Sequence, residues 1–244
     1  MATAIRQSTR LVQGGITLLF PLRCSLCDAP VDESHALCGD CFADMEFQGG
    51  LTCDLCGVPL PGDGVGDETC DDCLALARPW SKGVSVIGYS GAGRRLVLKM
   101  KHGDRPDLAR LGSAWMLRRG GAVLEGRTLV PVPAHWSRRV ARRYNQAAEL
   151  SRWLARRTGL DHLPLALRRS RATPGQDHRT LEQRFANLEG AIHPIPGALT
   201  GRKVCLIDDV MTSGATLSAS ARAALDGGAT DVTVLVLARV AKRP

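Results

Sequence analysis

Aromatic side chains are scarce in this 244-residue chain: four Trp, four Phe and two Tyr, 4% in all. A function resting on long rows of rings for stacked bases is therefore disfavoured from the start. No run of roughly eighteen apolar residues occurs, which excludes a transmembrane helix. The apolar stretch from Gly14 to Leu22 ends at Arg23-Cys24 with no small-residue cleavage site, so it reads as a helix or staple, not a signal peptide. A cytoplasmic protein without membrane insertion is expected. The most telling absence is of one sign of charge. From Cys24 to Cys73 there are twelve Asp and Glu and neither Lys nor Arg.

That segment stands at −12, and the remaining chain, with 32 basic against 12 acidic side chains, at +20, although the whole is only +8. Between Trp136 and Arg184 twelve Arg meet four carboxylates (Glu149, Asp161, Asp177, Glu182). Such asymmetry points to phosphates or nucleic acid near the arginines, with a solvated helix face as the plain alternative. Hydrophobic residues at 44% suffice for a sizeable core.

Eight of the nine cysteines form four Cys-x-x-Cys pairs: Cys24/Cys27, Cys38/Cys41, Cys53/Cys56 and Cys70/Cys73. Such a turn aims two thiolates at one point, and two turns complete a tetrahedral four-cysteine zinc site. Two closed sites leave no position for a catalytic water, so the expected role is structural: zinc replaces the core that a Gly-, Pro- and Asp-rich segment cannot build. We expect sequential pairing of the Cys-x-x-Cys turns, with interleaving as the alternative. Disulfides fit a secreted chain, and four regular pairs exceed what one redox dithiol needs. His35 could replace a ligand, but complete pairs leave it unneeded. Eight thiolates and two Zn²⁺ add a further −4 to this segment, which should then repel nucleic acid and serve as a scaffold, a cap or a dock for a protein partner.

Beyond Pro79 the pattern alternates strand and helix, which divides the chain into 1–78 (N-terminal helix and double zinc ribbon) and 79–244. Strands are expected at Val84 to Tyr89, Arg127 to Val132, Leu163 to Leu167, Lys203 to Ile207 and Asp231 to Ala238. Helices are expected from Gly91-Ala-Gly93 to Lys101, and over Asp107 to Arg119, Arg139 to Thr158 and Ala215 to Leu225. This order implies a mainly parallel sheet flanked by helices, with ligands at the carboxyl ends of its strands. Cys205, mid-strand, reads as a core residue. Gly91-Ala-Gly93 lacks the third glycine of a dinucleotide loop.

The sharpest motif is Val204-Cys-Leu-Ile-Asp208-Asp209-Val210-Met211-Thr212-Ser213-Gly214-Ala215-Thr216, which runs strand, acidic pair, small polar loop, helix. Free N–H groups at the helix start suit a phosphate, with the hydroxyls of Thr212, Ser213 and Thr216 as further donors. Two carboxylates beside it should face something else, and the vicinal hydroxyls of a sugar fit, since each carboxylate accepts two hydrogen bonds.

This run resembles the PRPP (phosphoribosyl pyrophosphate) motif of type I phosphoribosyltransferases. With the Cys-rich N-terminus, the whole chain resembles the ComF family (ComFC-like). Val130-Pro-Val-Pro133, Arg142-Arg143-Tyr144-Asn145-Gln146, Arg168 to Gln176, Arg184 and Asn187 resemble further family elements. The departures are Arg143 for Gly, Ser213 for Thr and Ile192 for Phe. The resemblance implies an α/β fold with a type I phosphoribosyltransferase-like sheet. It also implies a PRPP site, with Val210 and Met211 among its binding residues, in which Asp208 and Asp209 hold the ribose, Thr212 to Thr216 bind the 5′-phosphate, and the turn Val130 to His135, with Pro131, Val132 and Pro133, faces pyrophosphate. Arg168, Arg169, Arg171 and Gln176 fall where a lid would be, so that Arg168 and Arg171 join the acidic pair as catalytic candidates. Mg²⁺ would arrive with PRPP.

Phosphoribosyl transfer through an oxocarbenium-like ribose needs positioning and charge stabilisation more than an acid or base. No general base is therefore assigned to His135 or His178, although Lys99 and Lys101 could reach pyrophosphate. Only Arg239 to Pro244 follow the last strand, too few for a hood over the acceptor, so the zinc ribbon is expected to take that place. Without a glutamine-hydrolysing domain, amide-nitrogen supply is not expected. Two functions follow: a phosphoribosyltransferase releasing pyrophosphate onto an unidentified acceptor, or a non-catalytic factor that binds PRPP and single-stranded DNA. In the second, the Arg-rich region 136–184 would hold the DNA and a DNA-uptake protein would be the partner, as the family name implies.

Overall fold

The computed structural model describes residues 21–63, 68–102, 105, 107–134, 144–171 and 180–241. The expectations for residues 14–20, His135, Arg142, Arg143, Gln176 and His178 lie outside the described residues, as does the start of the helix expected from Arg139. The described chain forms two compact units, 1–44 and 45–244.

The smaller unit is a zinc knuckle. An isolated bridge joins Arg23 to Pro30 around the Cys24–Cys27 turn. Helix α1 (Gly39–Ala43) begins directly after Cys38 and carries the buried Cys41 in its first turn. The larger unit opens with the same device. A bridge between Thr52 and Pro59 frames the Cys53–Cys56 turn, and α2 (Asp71–Ala75) follows Cys70 and carries the buried Cys73.

The rest of the larger unit is a sheet of β1 (Lys82–Gly88), β2 (Thr128–Pro131), β5 (Lys203–Met211) and β6 (Asp231–Arg239), all parallel, in the order β1-β6-β5-β2. Between these strands run α3 (Gly91–His102), α4 (Asp107–Leu124), α5 (Gln146–Thr158), α6 (Leu181–Ala186) and α7 (Ala215–Asp226). A separate antiparallel pair joins β3 (Leu167–Arg169) to β4 (Ile192–Pro194).

The period-2 alternation of β6 assigns the sheet's two faces. Its odd residues meet α4: Thr233 Oγ1 donates to the Val123 carbonyl at 2.9 Å. A Cβ on Gly120 would fall 2.5 Å from Leu235, and one on Gly112 3.0 Å from Leu237. This close approach lets α4 run on to Leu124 through Gly120-Gly121, past the Arg119 end read from periodicity. The even residues Val232, Val234 and Val236 share a buried cluster with Leu217, Ala221 and Ala224 of α7 and with Cys53, Cys56, Cys73 and Trp80. The second zinc knuckle is thus part of the core.

The segment leading into that knuckle, with Asp54 of the knuckle itself, also pairs with the β1 edge of the sheet. Gln48 N–H donates to the Val86 carbonyl (2.8 Å), Gly88 N–H to that of Glu46 (2.8 Å) and Gly83 N–H to that of Asp54 (2.7 Å). Unpaired edge groups of β1 are satisfied in this way. Gly57, at φ +67°, must be glycine, since a Cβ would lie 2.3 Å from Ser85 N.

The strand expected at Leu163 to Leu167 lies instead at Leu167–Arg169, paired with β4. Before it only His162 bridges to Leu129. The partner of β3 lies well beyond it in the chain, at Ile192–Pro194, which local alternation does not reveal. Cys205 is fully buried, and burial pushes its thiol up to about 12, consistent with a core role.

Candidate phosphoribosyl pyrophosphate site and zinc centres

Two four-cysteine groups converge, Cys24, Cys27, Cys38 and Cys41 in the small unit and Cys53, Cys56, Cys70 and Cys73 in the large one, so the pairing is sequential. In each, all four sulfurs lie within 4.8 Å of one another. A tetrahedron with Zn–S near 2.3 Å needs sulfurs about 3.8 Å apart. Cys27–Cys38 at 3.4 Å and Cys56–Cys70 at 3.7 Å are close to that edge. The donor set, all sulfur and closed, fits structural zinc.

At the carboxyl end of β5 the strand continues through Asp208 and Asp209 to Met211, beyond the Ile207 end read from sequence. Gly214 then adopts φ +79° and caps α7, whose first turn carries Thr216. An open cleft of about 170 Å³ lies here. Asp208, Asp209, Val210 and Thr216 line one side, and Val132, Pro133 and Ala134 the turn after β2. Lys101, Tyr144, Asn145, Gln146 and Arg169 complete it. The site thus lies where a parallel sheet offers its ligand crevice.

Burial and the adjacent Asp209 charge raise the Asp208 carboxyl well above the usual carboxylate range. Asp208 Oδ1 accepts from the Asp209 N–H at 2.9 Å, and Lys101 Nζ stands 3.1 Å from Asp209 Oδ2. The pair therefore shares one cation, which leaves oxygens able to accept from hydroxyls in the cleft. Met211 and Gly214 are buried, whereas Thr212 is exposed and Ser213 half-buried. Ser213 Oγ accepts from the Ala215 N–H at 3.4 Å.

Of the arginines expected in a lid, Arg169 lines the cleft, whereas Arg168 is exposed opposite His193 and Arg171 donates to the Glu189 carbonyl at 2.8 Å. The alternation of β3 sends neighbouring side chains to opposite faces, so one of the two adjacent arginines reaches the site. Pro131 is buried in β2, and Val132 N–H donates to the Ile207 carbonyl at 2.9 Å, which pins the turn beside β5. Lys99 is half-buried and outside the lining.

Sequence reasoning gives Tyr144, Asn145 and Gln146 no contacts of their own. Asn145 caps α5 by accepting from the Ala147 N–H (3.1 Å) and donates to the Val132 carbonyl (3.0 Å). Tyr144 Oη and Gln146 Nε2 both donate to the Met100 carbonyl, at 2.5 and 3.3 Å. These residues tie the ends of α3 and β2 together beneath the cleft. The Tyr-Asn-Gln run is the signal that could have found them. Among the described residues, none of 45–78 lines the cleft itself, although Arg78 donates to the Ser213 carbonyl at the same end of the sheet.

Comparison with known proteins finds one family model in the N-terminal part and relatives along most of the chain. A double zinc ribbon domain model matches residues 15–74. Over 230 residues the chain is 32% identical to the DNA utilization protein YhgH of Salmonella typhi, covering 91% of this chain and 99% of that one. Competence protein F of Haemophilus influenzae is 25% identical over 224 residues, covering 88% and 90%. Among solved structures, an adenine phosphoribosyltransferase from Thermoanaerobacter pseudethanolicus aligns with 55% of this chain and 80% of its own, at 17% identity and a TM-score of 0.34. A phosphoribosylpyrophosphate synthetase from Mycobacterium smegmatis aligns with 56% of this chain but only 34% of its own, at 15% identity and the same TM-score. With a relative that similar along nearly its entire length, this chain belongs to the ComF family, alongside YhgH and Competence protein F.

Proposed function

We propose that this protein binds Mg-PRPP in the cleft at the end of β5 and transfers its phosphoribosyl group to an acceptor. The observation that carries this reading is the placement of Asp208 and Asp209 directly before the Thr212–Thr216 loop that enters α7. The carboxylates accept from the ribose hydroxyls, and the N–H groups at the start of α7 take the 5′-phosphate. The bond between ribose C1 and the pyrophosphate oxygen breaks, and a bond from C1 to the acceptor forms. Lys101 and Arg169 stand where the charge of the departing pyrophosphate would be met, with Arg168 and Arg171 as further candidates near them in the chain. Mg²⁺ would come chelated by the phosphates of the substrate.

Calorimetric titration of zinc-loaded protein with Mg-PRPP tests this, beside an Asp208→Asn/Asp209→Asn control. Binding that the control loses supports the site and calls for an acceptor screen by pyrophosphate release. No binding to the native protein overturns it.

A second reading, DNA handling, is favoured by a different feature. The guanidinium groups of Arg110, Arg152 and Arg156 surround the ring of half-buried Trp153, at 5.7, 5.7 and 5.1 Å. Single-strand binders combine cationic side chains with rings on which bases stack, and this cluster holds one such ring. The names of the relatives, DNA utilization protein and competence protein, agree with it. Affinity for an oligonucleotide that falls steeply with salt and drops in Trp153→Ala would support this reading.

A further inference from the structure

We infer that the second four-cysteine cluster is the mooring of the phosphate-binding loop, and that Arg78 and Arg239 are the positioning residues that connect the two; this rests on the PRPP reading above. A loop that turns its N–H groups toward a ligand must turn its carbonyls the other way, into the protein, where they need donors. Three consecutive carbonyls find them in two guanidinium groups. Arg239 Nη1 donates to Met211 (3.2 Å) and Thr212 (2.6 Å), and Arg78 Nη1 to Ser213 (2.9 Å).

The far sides of the same two guanidinium groups meet the cluster. Arg78 Nε donates to Cys73 Sγ at 3.3 Å, and Arg239 Nη2 approaches Cys56 Sγ at 3.9 Å. Four thiolates around Zn²⁺ carry a net charge of −2, which two arginines match. Arg239 is only 4% exposed, and among the described residues neither arginine has a carboxylate partner. A guanidinium so buried needs an anion nearby, and the cluster is the one on hand. The planar fork of arginine spans sulfur and carbonyl at once, which a lysine ammonium does not.

Gly214 is shaped for this contact. Besides its φ of +79°, a Cβ there would stand 2.8 Å from Arg78 Nη1. Arg78 is held from behind by the Trp80 ring, 5.5 Å away, whose Nε1 in turn donates to the Leu55 carbonyl at 2.6 Å. Cluster, arginines and loop form one continuous chain of contacts, buried at Cys56, Cys73 and Arg239 and opening to solvent at Thr212, and its two ends are thermodynamically coupled. What zinc gives to PRPP affinity, PRPP gives back to zinc retention by the same factor.

The test uses the full-length, zinc-loaded chain with Arg78→Ala and Arg78→Lys beside the native protein. Three quantities are read: Mg-PRPP affinity, zinc release to a chromogenic chelator with and without Mg-PRPP, and amide hydrogen exchange. Both variants should retain two zinc ions per chain and bind Mg-PRPP about tenfold more weakly. Mg-PRPP should slow release of the second zinc from the native protein by a similar factor, and not from Arg78→Ala. Faster exchange should be confined to residues 211–217, with β6 unchanged, whereas general destabilisation would speed both. Unchanged affinity and unchanged exchange at 211–217 in a fully zinc-loaded Arg78→Ala overturn the inference. If the native protein does not bind Mg-PRPP, the PRPP reading fails, and the exchange measurement still decides whether Arg78 holds the loop.

Discussion

Cys24–Cys27 and Cys53–Cys56 each lie in a turn framed by a short bridge, and Cys38–Cys41 and Cys70–Cys73 each straddle the start of a five-residue helix. The same local design then meets two different surroundings. The first cluster sits in the 1–44 unit with Cys27 exposed and Cys38 half-buried, and the Leu26 and Cys38 N–H groups donate to Cys24 Sγ at 3.4 and 3.3 Å. The second is packed into the α/β core, with Cys53 and Cys56 fully buried and arginines on its sulfurs. Asp28 takes a left-handed φ of +63° in the first turn, where Gly57 in the second has no room for a side chain. The same paired Cys-x-x-Cys turns thus say nothing of whether a zinc site holds only itself or the body around it.

The sharpest way to break the comparison is to remove one ligand from each cluster. Cys56→Ser should destabilise the whole larger unit. A loss of about 4 kcal/mol, modest beside structural zinc energies, lowers the melting temperature of a domain this size by roughly 8–16 °C. Cys27→Ser should leave the main thermal transition within about 2 °C of native while the zinc content falls to one per chain. Equal shifts in calorimetry would show that the two clusters are equivalent after all.

Zinc release to excess chelator should come next in size. A chelator must reach the zinc to displace its thiolates, so one zinc should leave in a fast phase and the second at least about tenfold more slowly, tracking opening of the core. A single phase, or a fast phase that survives Cys27→Ser, would contradict the difference in burial.

Much of this architecture is legible in the chain, and the illegible parts share a cause. The Cys-x-x-Cys spacing specifies both clusters, because a turn of that length leaves the thiolates little choice. The strand–acid–loop–helix run of β5 and α7 is likewise local. Arg78 and Arg239, by contrast, are single arginines 135 and 27 positions from the carbonyls they hold, and no periodicity marks them. Arg169 is not separable from Arg168 while that stretch reads as a loop, since only strand alternation separates their faces. The strand expected at Leu163 is displaced because its partner, Ile192–Pro194, is a tertiary matter.

The smallest effect concerns the core that the second cluster shares. The sheet carries two buried or half-buried carboxyls of opposite tendency. At the amino end of β6, burial works against Asp231, yet hydrogen bonds from Arg127 (2.5 Å) and Ser81 hold it below the ordinary range. Its contribution to stability is present above the unfolded value of about 3.9 and is lost as pH falls through the lower folded value. At the carboxyl end of β5, burial and Asp209 hold Asp208 well above that range. The stability it lends is full below about 3.9 and is lost as pH rises through the raised folded value, so at neutral pH its charge is a cost. Asp208→Asn should therefore raise the melting temperature at pH 8 by about 2–4 °C for each kcal/mol relieved, and the gain should shrink toward pH 4. Cys27→Ser should not alter that gain, because its cluster lies in the other unit. A melting temperature unchanged at both pH values would mean that Asp208 is better solvated than its place beside Asp209 implies. A variant more stable than native yet unable to bind Mg-PRPP would mark Asp208 as a residue kept for the ligand at the expense of the fold.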